Sequence, residues 1–113
     1  MPVTGALCSL MISAKIEKLV NSGIDISGTH ELEFEFYVVG KEKLPALERY
    51  FYHPDNSMKI SVKKHYNGFG YSFNLRILST LSQKSISRNL LWLSNVADEH
   101  DVILKNWRVV QRT

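Results

Sequence analysis

Between His30 and Val39 the chain alternates strictly, with Leu32, Phe34, Phe36 and Val38 separated by Glu33, Glu35 and Tyr37 and preceded by Glu31. A strand turns successive side chains to opposite faces. The stretch therefore predicts a half-buried strand, apolar on one side and carboxylate-lined on the other. Upstream, Ile12, Ile16, Leu19 and Val20 recur at helical spacing and predict a helix over Ser9 to Asn21, with Gly23 as its C-terminal cap. Ile24 to Thr29 reads as a connection.

Gly40 ends the strand. Lys41 to His53 reads as a second helix with Leu44, Leu47, Tyr50 and Phe51 inward, Pro45 in its first turn, and His53-Pro54-Asp55-Asn56 as its stop. Met58 to Tyr66 is a second strand, with Ile60 and Val62 inward and Lys59, Ser61 and Lys63 on the other face. Asn67-Gly68 is a hairpin signal, and the third strand runs from Phe69 or Tyr71 to Leu78. Ser85 or Ser87 caps a third helix that ends near His100, with Ile86, Leu90, Leu93, Val96 and Ala97 inward. Asn106 to Gln111 is the last strand, with Trp107 and Val109 inward.

The order after the first helix is βαββαβ. It predicts an α+β, ferredoxin-like antiparallel sheet with two helices on one face. Residues 1–113 read as one domain, with 1–22 an N-terminal extension and helix and 23–111 the ferredoxin-like core. The first helix has two open positions: over the free sheet face, or at an edge. In the usual 4-1-3-2 strand order, Arg76 lies beside the glutamates and Lys59 and Lys63 lie farther out on the edge strand.

Composition adds a few bounds. The 113 residues carry a net charge of +3. Residues 1–57 hold five Lys/Arg against eight Asp/Glu, and residues 58–113 hold nine against three. The preferred reading of this split is two halves that interleave and neutralise; a basic nucleic-acid surface is the alternative. A single cysteine, Cys8, rules out an internal disulfide and favours a reducing, cytoplasmic setting. No stretch has the length and apolarity of a membrane span, and the apolar run Ala6 to Ile12 is short for a signal peptide.

Candidate chemistry is sparse. His30, His53, His65 and His100 form no ligand pair at helical spacing, so neither metal nor cofactor is expected. There is no G-x-S-x-G elbow, and Gly40-Lys41-Glu42 lacks a phosphate-loop pattern, so an enzyme is not expected. The run Asn67-Gly68-Phe69-Gly70-Tyr71-Ser72-Phe73 echoes the RNP1 motif of RNA-recognition domains. Against it stand the polar Ser72 and Asn74, the absent leading base, and Glu33 and Glu35 where RNA would lie.

Gly23-Ile24-Asp25-Ile26-Ser27 leading to His30, the alternating Glu33 to Tyr37, Leu93 to His100 (LSNVADEH), and Asn106-Trp107 at the last strand together resemble the regulator of ribonuclease activity B family. The resemblance spans roughly residues 23–111. It implies a ferredoxin-like fold, no catalysis, and modulation of RNA decay by binding ribonuclease E in the cytoplasm. Lys105-Asn106-Trp107 stands where that family favours Asp-Gly-Trp, and this chain is basic where the family is usually acidic. The expected partner-binding residues are Glu33, Glu35 and Arg76, flanked by Lys59 and Lys63. Reversal of Glu33 and Glu35 to Lys is expected to abolish capture and spare the fold. Two competing readings are an RNA-binding module using Phe69, Tyr71, Lys63 and Lys64, and a toxin-neutralising immunity-type protein.

Overall fold

The alternating stretch becomes β1 (Thr29–Val38), the strand around which the other three are arranged. In the computed structural model, residues 2–52, 58–65 and 68–110 are described, with side chains of the first helix from Ile12 onward. The strands β2 (Lys59–Lys64), β3 (Tyr71–Thr80) and β4 (Ile103–Val109) join β1 in one sheet of order β2-β3-β1-β4. Every neighbouring pair is antiparallel. This is the ferredoxin-like strand order that the βαββαβ pattern predicts.

Leu32, Phe34, Phe36 and Val38 on β1 and Phe73, Leu75 and Ile77 on β3 face the core, as does Trp107 on β4. The helices α2 (Leu44–Phe51) and α3 (Gln83–Glu99) cover that side. Phe51 of α2 meets Phe36 and Phe73 at centroid distances of 6.0 and 5.9 Å. Ile86, Leu90, Leu93, Val96 and Ala97 supply the inward stripe of α3. Pro45 sits at the start of α2, after a 3₁₀ turn over Lys41–Lys43.

Helix α1 (Pro2–Asn21) starts seven residues before the Ser9 that periodicity predicts. Pro2 suits the first helical position because its missing N–H has no intrahelical role there. Gly23, at φ +87°, ends the helix as expected: its N–H bonds Val20 O at 3.0 Å, and Ile24 N–H bonds Leu19 O at 3.1 Å. This is a Schellman ending. Helix α3 ends with the same pair of bonds, Asp101 N–H to Asp98 O and Val102 N–H to Ala97 O, but with Asp101 at φ +55° in glycine's place. Lys43 Nζ holds that turn, 2.8 Å from Asp101 O and 3.0 Å from its carboxylate.

The position of α1 is settled. It lies along α3, and Ile12 enters the common core. Its Lys15 reaches round the outer edge of β4, donating to Asn106 Oδ1 at 2.7 Å and Trp107 O at 2.8 Å. Among the described residues, no helix covers the sheet face opposite α2 and α3.

Three boundaries differ from expectation. The cap of α3 is Ser82, whose Oγ accepts from Ser85 N–H, not Ser85 or Ser87. Strand β4 begins at Ile103, three residues earlier than the predicted Asn106. The pairing with β1 jumps from Glu35–Asn106 to Phe36–Leu104, so Lys105 is the extra residue of a bulge. The bulge hides the alternation, because Leu104 and Trp107 share the core side at odd spacing. Between β2 and β3, His65 N–H bonds Gly70 O at 3.1 Å. His53 to Asn56, Tyr66, Asn67 and Gln111, which figured in the predicted element ends, lie outside the described residues.

The fully buried Phe36 touches both Phe51 and Phe73. Phe36→Ala is expected to lower unfolding free energy by about 3–5 kcal/mol in urea titration. A loss below ~1 kcal/mol would mean that this layer of the core is not packed as described.

Candidate binding face

The open face is ordered in rungs that cross the sheet. Register aligns Lys59 with Arg76, Arg76 with Glu33, and Glu33 with Arg108, one residue from each strand. The next rung is Ser61, Asn74, Glu35 and Asn106; the one after is Lys63, Ser72, Tyr37 and Ile103. Cross-strand neighbours on one face lie close enough to interact directly.

Glu33 is the hub. Arg76 Nε donates to its Oε2 at 2.7 Å, and Arg108 donates to its Oε1. Arg76 also meets Glu31 at 3.4 Å, and Lys59 lies 3.7 Å from Glu31. Arg108 lies 3.9 Å from Glu35. Glu35 in turn accepts from Ser72 Oγ at 2.8 Å, and Ser72 Oγ lies 2.7 Å from His65 Nε2. Because the serine proton is given to Glu35, His65 is the donor in that second bond. The chain thus runs from His65 through Ser72 to Glu35.

Exposure separates the two signs of charge. The Glu33 side chain is 6% exposed, against 42% for Arg76 and 50% for Arg108. Burial alone pulls the Glu33 carboxyl upward, but hydrogen bonds from Arg76 and Arg108 and their charges outweigh it. They hold the group below the ordinary carboxylate value. Glu33 in return raises the Arg76 guanidinium above its usual value, chiefly through their hydrogen bond.

This arrangement corrects the expected acidic face. Glu33 is sealed beneath arginines, Glu31 and Glu35 are mostly covered, and the groups that reach solvent are cations. Reversal of Glu33 and Glu35 to Lys would place ammonium groups against Arg76 and Arg108 and disrupt the sheet itself. Arg76, Lys59 and Lys63 do lie on the open face. Arg108 was missed, although its place next to the inward Trp107 on a strand assigns it outward.

The RNP1-like run has the opposite phase from an RNA-recognition sheet. Phe73 is fully buried under the helices, and Tyr71 pairs with Val38 on that same side. Lys64 pairs with Tyr71, so it too belongs to the helix side, away from Lys63. The four residues Phe69, Tyr71, Lys63 and Lys64 therefore do not form one surface. Ser72 and Asn74 face the open side, yet both are buried, and Asn74 Oδ1 has no hydrogen-bond partner among the described residues.

The rung nearest the hairpin carries one aromatic, Tyr37. Tyr37 packs edge-on against His65 at 5.7 Å and donates its hydroxyl to Phe69 O at 2.6 Å. The Phe69 ring itself stands 87% exposed. At the opposite end of the sheet, Thr29, His30, Glu31, Leu78 and Val109 border an open cleft of about 730 Å³. His30 is tied to the turn before β1, its Nε2 lying 2.6 Å from Asp25 O. The Asp25 carboxylate takes Ser27 N–H and Oγ, and these bonds keep its carboxyl below the ordinary value.

Among the described residues, no cluster of three or more His, Cys, Asp or Glu is placed to share a metal ion. No described helix is long and apolar enough to cross a membrane. Neither a family model nor a curated protein matches the chain.

The depressed Glu33 pKa fixes a sign. Its contribution to stability is complete above the unfolded-chain value of 4.5 and is lost as pH falls through the lower folded value. Glu33→Gln is expected to cost about 1–3 kcal/mol near neutrality and to flatten the acid limb. Urea midpoints measured from neutral pH downward check both. An acid limb as steep as the parent's would place the titrating group elsewhere.

Proposed function

We propose that this chain is a non-catalytic regulatory domain of RNA metabolism that works by docking an anionic macromolecule on its open sheet face. One observation carries the reading. A buried carboxylate, Glu33, holds two half-exposed guanidinium groups side by side. Arginines fixed in this way lose little side-chain freedom when they meet a carboxylate or phosphate, so the binding surface is prepared in advance. Lys59 and Lys63 extend the positive charge along β2.

The resemblance to the ribonuclease-regulator family supplies the partner class: a ribonuclease of the E type, bound in the cytoplasm, with RNA decay as the regulated process. The cationic face directs that docking to acidic surface on the nuclease assembly. Charge complementarity of this kind speeds encounter and selects partners. The exposed Phe69 ring favours a second reading, in which the anion is RNA itself.

The test adds the purified chain to a ribonuclease E cleavage assay. Cleavage is expected to slow in proportion to the chain added. A Lys59→Glu/Lys63→Glu variant should weaken that effect several-fold, chiefly through slower association. Cleavage that proceeds unchanged at saturating chain would remove the nuclease reading.

A further inference from the structure

We infer that the open face takes a short acidic protein segment, with carboxylates on Arg76, Arg108 and Lys59 and an adjoining aliphatic side chain in the cleft at the Leu78 end of the sheet. The inference rests on the reading of that face as a dock for an anionic macromolecule, and it names the class of partner.

Charge and cleft are contiguous. Glu31 forms part of the cleft wall. The same carboxylate lies 3.4 Å from Arg76 Nη1 and 3.7 Å from Lys59 Nζ. Along β3, Arg76 is two residues from Leu78; along β4, Arg108 immediately precedes Val109, and both Leu78 and Val109 line the cleft. Register sets Leu78 opposite Glu31 and Arg76 opposite Glu33 on one face of the sheet. One rung therefore carries the guanidinium groups, and the next carries a wall of the cleft. Two residues of strand separate them, roughly 7 Å.

The cations keep donors for a partner. Arg76 commits Nε to Glu33 and one N–H of Nη1 to Glu31, so its Nη2 stays outside both bonds. Arg108 bonds Glu33 through Nη2, and its Nε stays outside that bond. The Lys59 side chain is exposed, whereas Glu31 and Glu33, which offset these charges, are nearly covered. An approaching anion meets the cations first.

The cleft discriminates between anionic partners. Ile24 and Val109 in its lining pack against the core, and Leu78 stands 65% exposed. An aliphatic side chain placed among them removes apolar surface from water on both sides. A nucleotide would set sugar hydroxyls and polar base edges against the same aliphatic groups and leave them unpaired. In an extended protein segment, side chains two positions apart point the same way at roughly 7 Å. A carboxylate and an aliphatic residue at that spacing match the guanidinium rung and the cleft together.

The probe is a short fluorescent peptide, followed by anisotropy, with glutamates at alternate positions and one leucine in the same alternating row. A second peptide carries serine in place of the leucine, and an oligouridylate is the third arm. The leucine peptide is expected to bind the parent chain about tenfold more tightly than the serine peptide. Leu78→Ser alters a solvent-facing side chain, so its urea midpoint should match the parent's. It is expected to weaken the leucine peptide about tenfold and to leave the serine peptide unchanged. Lys59→Gln should weaken both peptides about threefold. Equal affinity of the two peptides for the parent, or an equal loss of both in Leu78→Ser, overturns the cleft assignment and leaves the anionic-partner reading standing. Oligouridylate held more tightly than the leucine peptide overturns the protein class in favour of RNA. A chain that holds none of the three removes both readings.

Discussion

The pairing of Glu33 with Arg76 on one side and Arg108 on the other is where fold and surface meet. A carboxylate this deeply covered is costly to desolvate, and it is stable only while both cations stay in place. Both stay in place only in one register. A slip of β3 or β4 by a single residue would carry Arg76 or Arg108 to the phenylalanine side of the sheet. The apolar stripe of β1 and the ionic rung behind it therefore specify the same alignment from opposite faces. Exposed ion pairs add little stability as a rule. Here the shared buried carboxylate acts more as a register lock than as a source of stability.

The same rung determines what a partner can meet. Three glutamates on one strand read in sequence as an acidic stripe, because a linear reading sees only the strand that carries them. Folding lays a cation from β3 and another from β4 over them. The outward charge is set by side-chain length: arginine reaches past glutamate, so the guanidinium groups end nearer solvent. The proposal of an anionic counterpart rests on that inversion.

Much of the architecture was legible. Alternation at Leu32 to Val38, the glycine after α1 and the stripe of α3 each carry their own local signal, and the strand order followed from the element order. What escaped had a physical cause in each case. The bulge at Lys105 breaks the period-2 pattern, so Leu104 could not be assigned to β4. Asp101 closes α3 in a conformation that usually announces itself as glycine. Tyr71 and Phe73 imitate an RNA-binding motif in type but not in phase, since their partners across the strand are Val38 and Phe36. The glutamates were assigned to the correct face, but their burial depends on Arg108, 75 residues downstream of Glu33. No local window contains both.

Helix α1 leaves a further mark on the molecule. An open four-stranded sheet has two outer strands, each able to recruit a strand from another chain. On β4, the Lys15 ammonium, 2.8 Å from the Trp107 carbonyl and 4.8 Å from that residue's ring centroid, occupies an outward-facing acceptor. Burial and the nearby Arg108 hold this ammonium below the usual lysine value. On β2, protection is electrostatic, through the exposed Lys59, Lys63 and Lys64. One border has an acceptor occupied by the Lys15 ammonium and the other is guarded by like charge, so growth by strand addition is discouraged at both margins.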